Sequence, residues 1–193
     1  MSQILSTRPL YRGWLGLTMA TVRADSGDIF DRHVVEMGRA VVVLPYDPAR
    51  RCLLLVSMPR APVTLLGLAD FLEPVAGSLD EDDAADCARR EAMEEAGVRL
   101  AMLEHVGEYW SMPSFSTESI DYYLAPYSLA DRVGSGGGSP DEQENITVHE
   151  LPAADIWARF ERGEIKDGKL AIALMALRLR KPDMFAPDLP ASR

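Results

Sequence analysis

Apolar residues fall in short unbroken runs between turn signals, a pattern that predicts buried strands. Residues 40–44 (Ala-Val-Val-Val-Leu) form one run, which Pro45 is expected to end. Asp47-Pro48-Ala49-Arg50 predicts a turn, and residues 52–57, with Leu53, Leu54, Leu55 and Val56, predict the returning strand. Ahead of this pair, residues 11–24 and 29–37 flank the turn signal Asp25-Ser26-Gly27-Asp28 and predict an antiparallel hairpin. Residues 65–69 carry no decisive pattern, and 71–76 predict a short strand broken at Gly77. Residues 82–96 lack Gly and Pro and are rich in Ala, Glu and Arg, so they predict a helix. Asp82 or Asp83 is placed to cap it, and Gly97 suits the left-handed position after its end. Its apolar stripe is Ala85, Ala88, Ala92 and Ala96, small enough to lie close against a sheet.

Strands are expected again at 102–110, 120–125 and 146–151, then helices at 153–162 and 169–180. The second helix presents Leu170, Leu174 and Leu177 on one face. Residues 134–140 (Gly-Ser-Gly-Gly-Gly-Ser-Pro) have the composition of a flexible linker. Because the strands on both sides still need partners, they are read as a mobile loop within the domain. The tail, with Pro182, Pro187 and Pro190, is expected to fray.

Composition narrows the class. The 193 residues suit one domain with a small appendage, and 47% hydrophobic with 26% charged residues is ordinary for a globular chain. Thirty acidic against twenty basic residues give a net charge of −10, which argues against nucleic-acid and membrane-surface partners. The acidity is either a solvated surface or a set of carboxylates that collects divalent cations. Cys52 and Cys87 are too few for a disulfide framework and read as buried small hydrophobes in a reduced, cytoplasmic setting. No apolar run is long enough for a membrane span, and the start lacks a signal-peptide core. His33, His105 and His149 are scattered, so a thiol or imidazole metal site is not expected.

The positions of the carboxylates decide between the two readings of the acidity. From Glu73 to Glu95 there are nine acidic residues, and Arg89 and Arg90 are the only basic ones. Glu91, Glu94 and Glu95 stand at i, i+3 and i+4 of the predicted helix, on one face near its C-terminal end. Like charges at that spacing repel by roughly 0.2–0.5 kcal/mol per pair, and the helix dipole opposes them too. Three hard oxygen donors on a rigid face match what Mg²⁺ or Mn²⁺ requires, with the remaining positions left to water and substrate phosphates.

Gly77 … Arg90-Glu91-Ala92-Met93-Glu94-Glu95-Ala96-Gly97-Val98 resembles the box of the Nudix hydrolases, G-x5-E-x7-R-E-U-x-E-E-x-G-U with U apolar. The second half is in register throughout. In the first half the loop after Gly77 is one residue short, and Asp82 stands where the family has its first Glu. Tyr11-Arg12-Gly13, the run from Val34 to Leu44, and Pro74-Val75-Ala76-Gly77 resemble the ADP-ribose pyrophosphatase-like subgroup. So do Arg60, Pro113 sixteen residues after Gly97, Ser116-Thr117-Glu118, Asp141-Glu142-Gln143-Glu144-Asn145-Ile146 and Asp167-Gly168-Lys169. The likeness spans roughly residues 9 to 180.

That resemblance implies Mg²⁺-dependent (or Mn²⁺-dependent) hydrolysis of the diphosphate bond of ADP-ribose or a related nucleoside diphosphate sugar. It implies metal ligation by Glu91, Glu94, Glu95 and the carbonyl of Ala76. Glu142 is implied as the proton acceptor, with Glu144 second and Glu95 contributing to catalysis. Arg60, Arg12, Pro113 and Glu118 are implied on the substrate side, and Gly77, Asp82, Arg90 and Gly97 as structural parts of the box. Rival readings are hydrolysis of another conjugate such as GDP-mannose, and a non-catalytic ADP-ribose-sensing module. Retention of the three glutamates favours the enzyme. The expected fold is an α/β/α sandwich with a mixed sheet. Residues 1–37 would form an N-terminal hairpin segment that pairs two copies into a homodimer, 38–181 the hydrolase domain, and 182–193 a Pro-rich tail.

Overall fold

The computed structural model describes residues 1–79, 83–138 and 145–186. The chain divides into two compact units, residues 1–40 with 108–120, and residues 41–107 with 121 onward.

In the first unit, β1 (Gln3–Arg12), β2 (Gly16–Arg23) and β3 (Ile29–Glu36) form a three-stranded antiparallel sheet in that order. The expected hairpin is β2–β3. Its turn is closed by Ala24 N–H to Asp28 O (2.8 Å) and Gly27 N–H to Ala24 O (2.9 Å), with Gly27 at φ 91°. The expectation missed β1, and the residues it assigned from Tyr11 onward are split between two strands. All ten residues of β1 are exposed, so no buried face imposes an alternation to be read. Pro9 is tolerated because β1 is an edge strand, and the register shifts between Pro9 and Tyr11.

The mixed six-stranded sheet runs β7 (Glu104–Trp110), β8 (Ser119–Pro126), β4 (Arg39–Asp47), β5 (Cys52–Ser57), β9 (Thr147–Pro152), with β6 (Val75–Ser78) paired to β4. Strand β5 has the expected bounds. Strand β4 continues two residues past Pro45, because proline's fixed φ is compatible with extended backbone. The β4–β5 turn is held by Asp47, whose Oδ1 accepts from Ala49 N–H (2.9 Å) and Arg50 N–H (3.0 Å). Strand β6 starts later than expected and runs through Gly77, although Glu73 already bridges to Val56. The undecided stretch 65–69 follows a short helix that was not expected, α1 (Ala61–Leu65), whose early Pro62 presets φ.

Helix α2 (Ala84–Ala96) lies on one face of the sheet. Ala88, Ala92 and Ala96 are fully buried in one cluster with Val41, Val43, Leu54 and Val56. Strand alternation sends Val42, Leu44, Leu53 and Leu55 to the opposite face, and all four are fully buried as well. On the C-terminal helices α3 (Ala153–Glu161) and α4 (Gly168–Arg180), the residues with no exposure are Ala153, Ile156, Leu170, Ala173, Leu174 and Leu177. The expected leucine stripe is therefore the buried face of α4. The tail holds its structure further than expected: Pro182–Phe185 forms a 3-10 turn that buries Met184 and Phe185. Trp157 stacks on Phe160 at 5.1 Å and meets Phe185 edge-on at 5.6 Å. Residues 187–193 lie outside the described residues. Among the described residues no helix is long and apolar enough to cross a membrane.

Candidate active site

Helix α2 carries the acidic cluster and is fixed at both ends. Asp83 caps the N-terminus, accepting at Oδ1 from Ala85 N–H (2.7 Å) and Asp86 N–H (3.1 Å). Of the two candidate caps it is the one that acts; Asp82 lies outside the described residues. At the other end Gly97 takes φ 63° and ends the helix in the left-handed conformation, as expected.

The glycine-rich segment corrects the sequence reading over its described part, residues 134–138. It docks on the C-terminus of α2. Gly137 N–H bonds Glu95 O (2.9 Å), Gly138 N–H bonds Glu94 O (3.0 Å), and Val133 and Gly134 N–H both bond Gly97 O (3.0 Å). Glycine is required by space: a Cβ on Gly136 would lie 2.3 Å from Glu95 O, and one on Gly97 would lie 2.3 Å from Gly134 O. The amides of this segment satisfy carbonyls that a helix end leaves open, and they weaken the negative pole beneath the glutamates.

Glu91, Glu94 and Glu95 occupy one helical turn in different environments. Glu95 is 2% exposed and accepts at Oε2 from Ala76 N–H (3.2 Å). The buried Glu91 packs against Gly77 so closely that a Cβ there would fall 2.0 Å from its Oε1. Arg90 forks across the other two contacts, with Nη2 at 2.8 Å from Glu91 Oε1 and Nη1 at 2.8 Å from Glu94 Oε2. Ala76 and Gly77, in β6, thus sit beside the carboxylates of α2. Among the described residues no three acidic, His or Cys side chains already converge at metal-ligand spacing. The donor set itself suits a hard divalent cation: three carboxylates within a turn, beside a strand whose glycine leaves room for close approach.

Arg60 faces a residue that the sequence reading did not single out. Its Nε and Nη2 donate to the two oxygens of Glu73, each at 2.9 Å. Lys169 Nζ joins at 3.2 Å from Glu73 and 2.6 Å from Asp167, and Asp167 caps α4 by accepting from Leu170 N–H (2.7 Å). Burial works to lift the Glu73 carboxyl, but Arg60 and Lys169 outweigh it and hold it below its ordinary range. For Lys169 burial presses the ammonium down, and Asp167 and Glu73 more than reverse it. Glu73 backbone atoms exchange hydrogen bonds with Val56 (2.8 and 3.0 Å), so the network also anchors the chain three residues before Ala76. The available signal was a lone carboxylate between Leu72 and Pro74 in an extended stretch, which must be paired if buried.

The remaining expected residues belong to the first unit or lie outside the described residues. Arg12 pairs with Glu36 across its sheet. Pro113 is exposed in a turn closed by Phe115 and Ser116 N–H to Met112 O, and Glu118 N–H bonds Ser116 Oγ (3.1 Å). Glu142 and Glu144 fall outside the described residues.

Comparison with known proteins agrees with this arrangement. A family model described as the NUDIX domain matches residues 36–170. A GDP-mannose pyrophosphatase of Klebsiella pneumoniae is 33% identical over 181 residues, 91% of this chain and 90% of that one. The GDP-mannose pyrophosphatase of Cronobacter sakazakii is 34% identical over 151 residues, 77% of this chain and 78% of that one. A crystal structure of an ADP compounds hydrolase superimposes with a TM-score of 0.75 at 17% identity, covering 92% of each chain, a likeness of fold. The chain belongs to the Nudix family and is a Nudix hydrolase.

Proposed function

We propose that the protein hydrolyses the diphosphate bond of a nucleoside diphosphate sugar, releasing a nucleoside monophosphate and a sugar phosphate. The observation that carries this is the placing of Glu91, Glu94 and Glu95 within one turn, with Glu91 packed on Gly77, Glu95 bonded to Ala76 N–H and Glu94 tied to Glu91 through Arg90. Among substrates, GDP-mannose and ADP-ribose come first. Near full-length similarity to GDP-mannose pyrophosphatases supports the former.

In this reading Glu91, Glu94, Glu95 and the carbonyl of Ala76 hold Mg²⁺, with Mn²⁺ as a substitute. Bound there, the cation neutralises charge on the non-bridging phosphate oxygens and lowers the pKa of water. Glu142, or failing it Glu144, accepts the proton of the attacking water. Arg90 keeps Glu91 and Glu94 in place before metal arrives. Asp82, Gly77 and Gly97 shape the box. Arg60, Arg12, Pro113 and Glu118 keep their assignment to substrate binding, and Glu73 fixes the direction of the Arg60 guanidinium. We further infer a cytoplasmic homodimer. Support comes from two free cysteines and from the exposure of Ile4, Leu5, Leu10 and Tyr11 on edge strand β1, which a second copy would cover. This keeps residues 1–37 as the pairing segment, 38–181 as the catalytic domain and 182–193 as a tail.

The test is a panel of nucleoside diphosphate sugars with Mg²⁺ and product identification, run on the wild type and on Glu94→Gln and Glu95→Gln. Cleavage to the two monophosphates, reduced at least about a hundredfold in both variants, is expected. Absence of cleavage for every member would return the chain to the sensor reading. Near-normal rates in both variants would remove the metal assignment.

A further inference from the structure

A cavity of about 440 Å³ opens beside the β4–β5 turn and the end of α4, and among the described residues it shares no lining residue with the box or with the Glu73 network. Among the described residues its wall carries three cations, Arg51, Arg180 and Lys181, against one carboxylate, Asp183. Each cation is oriented from behind. Arg51 Nη1 donates to Ala186 O (3.1 Å). Arg180 donates to the carbonyls of His105 (3.0 Å) and Val106 (3.2 Å), and Glu104 takes both Arg180 (3.0 Å) and Lys181 (3.1 Å). With Glu104 included the group still keeps one net positive charge, in a chain of −10.

Two observations point to a ligand. Tyr46 is 5% exposed, lines the cavity, and its hydroxyl makes no hydrogen bond among the described residues. Burial pushes its hydroxyl pKa up, so it keeps a proton to donate. Arg51 stands at φ 52°, a left-handed conformation in which a glycine would be less strained. A long cationic side chain is kept there at a conformational cost, and it reaches the cavity. Guanidinium and ammonium donors beside a tyrosine hydroxyl match the acceptor-rich surface of a tetrahedral oxyanion. The volume exceeds that of the oxyanion alone, leaving room beside Met184 for an organic body.

We propose that this cavity binds a phosphate dianion, either free or as the head of a phosphate monoester. The experiment titrates the full-length protein with inorganic phosphate and with ribose 5-phosphate by calorimetry, in chelator so that the box is not metal-loaded. Saturable binding is expected, weakened about tenfold by Arg51→Gln and by Lys181→Gln and severalfold by Tyr46→Phe. Glu94→Gln, outside the cavity, should leave it unchanged. Tighter binding of ribose 5-phosphate than of phosphate assigns a monoester, and equal binding assigns the free anion. Tyr46→Phe keeps the buried ring, and a matching thermal melt guards against misfolding. No binding up to about 20 mM, a range in which even a weak oxyanion site fills, would overturn the proposal. So would affinity unchanged in Arg51→Gln, Lys181→Gln and Tyr46→Phe alike.

Discussion

Replacing Glu73 by Gln isolates the buried ion network from the rest of the fold. The side chain volume is kept, and the charge that faces Arg60 and Lys169 is removed. Breaking a fully buried pair typically costs about 3–5 kcal/mol, because the partner charge is left without compensation. Here the Glu73 side chain is 2% exposed, but Arg60 is 40% and Lys169 28% exposed. Both cations can turn partly toward water, so about 2 kcal/mol is the expected loss at neutral pH. For a chain of this length that corresponds to a fall in Tm of roughly 4–8 °C. Adding Lys169→Met removes one stranded cation, and the double variant should recover about 1 kcal/mol relative to additivity. The sign with pH follows from linkage. The Glu73 carboxyl lies below its ordinary value of 4.5, so its contribution is complete above that value and is lost as pH falls through the folded-state value. Urea unfolding followed by circular dichroism should give a constant gap between wild type and Glu73→Gln from pH 6 to 8, narrowing below about 4.5. A variant within about 0.5 kcal/mol of wild type at pH 7, the scatter of an ordinary surface substitution, would refute the reasoning.

Gly77→Ala should leave stability nearly unchanged, because the clash at 2.0 Å is with the end of the Glu91 side chain, which can swing away. Turnover should nevertheless fall at least about tenfold through the displaced carboxylate; wild-type kinetics would contradict the packing role given to Gly77. Gly136→Ala meets backbone at 2.3 Å at a residue with φ 68°, so melting should reveal a loss of about 1–2 kcal/mol, and an unchanged Tm would mean that the segment does not dock on α2. Glu150 is held down to about 2, first by its hydrogen-bonded fork with Arg50 and then, against burial, by Tyr127. Its stabilisation is present above pH 4.5 and lost toward pH 2. Acid titration of Arg50→Gln should therefore give a flatter stability profile than the wild type over that window; parallel profiles would exclude the fork as the cause.

Much of the architecture was legible because burial leaves a pattern. Strand β5, the small-residue face of α2 and the leucine stripe of α4 follow from runs and spacings that only a closed core requires. Strand β1 was not legible, since with ten exposed residues it owes its form to pairing with β2 and carries no face-specific pattern. The site was legible where chemistry sets the spacing, as in Glu91, Glu94 and Glu95. It was opaque where a role depends on a distant partner. Nothing near residue 60 announces that Arg60 meets Glu73, or that Lys169 reaches Glu73 from a helix 96 positions beyond that glutamate. Such pairs are set by how β5, β6 and α4 pack, a property of the assembled sheet.

The glycine-rich segment argues the same point from the opposite side. Glycine enrichment has two physical uses: it raises the entropy of a free chain, and it permits backbone to approach backbone. Composition alone expresses only the first. The second is at work at Gly136, where a Cβ would lie 2.3 Å from Glu95 O, and it lets the next two amides, of Gly137 and Gly138, reach the terminal carbonyls of α2. The consequence reaches the chemistry, because those carbonyls lie directly behind Glu94 and Glu95. Left open, they would add the negative end of the helix dipole to three carboxylates that already repel one another. Capped by amides, the helix end can carry an acidic face before any cation is bound. The stretch with the least side-chain chemistry in the protein thereby helps to make the acidic box tolerable.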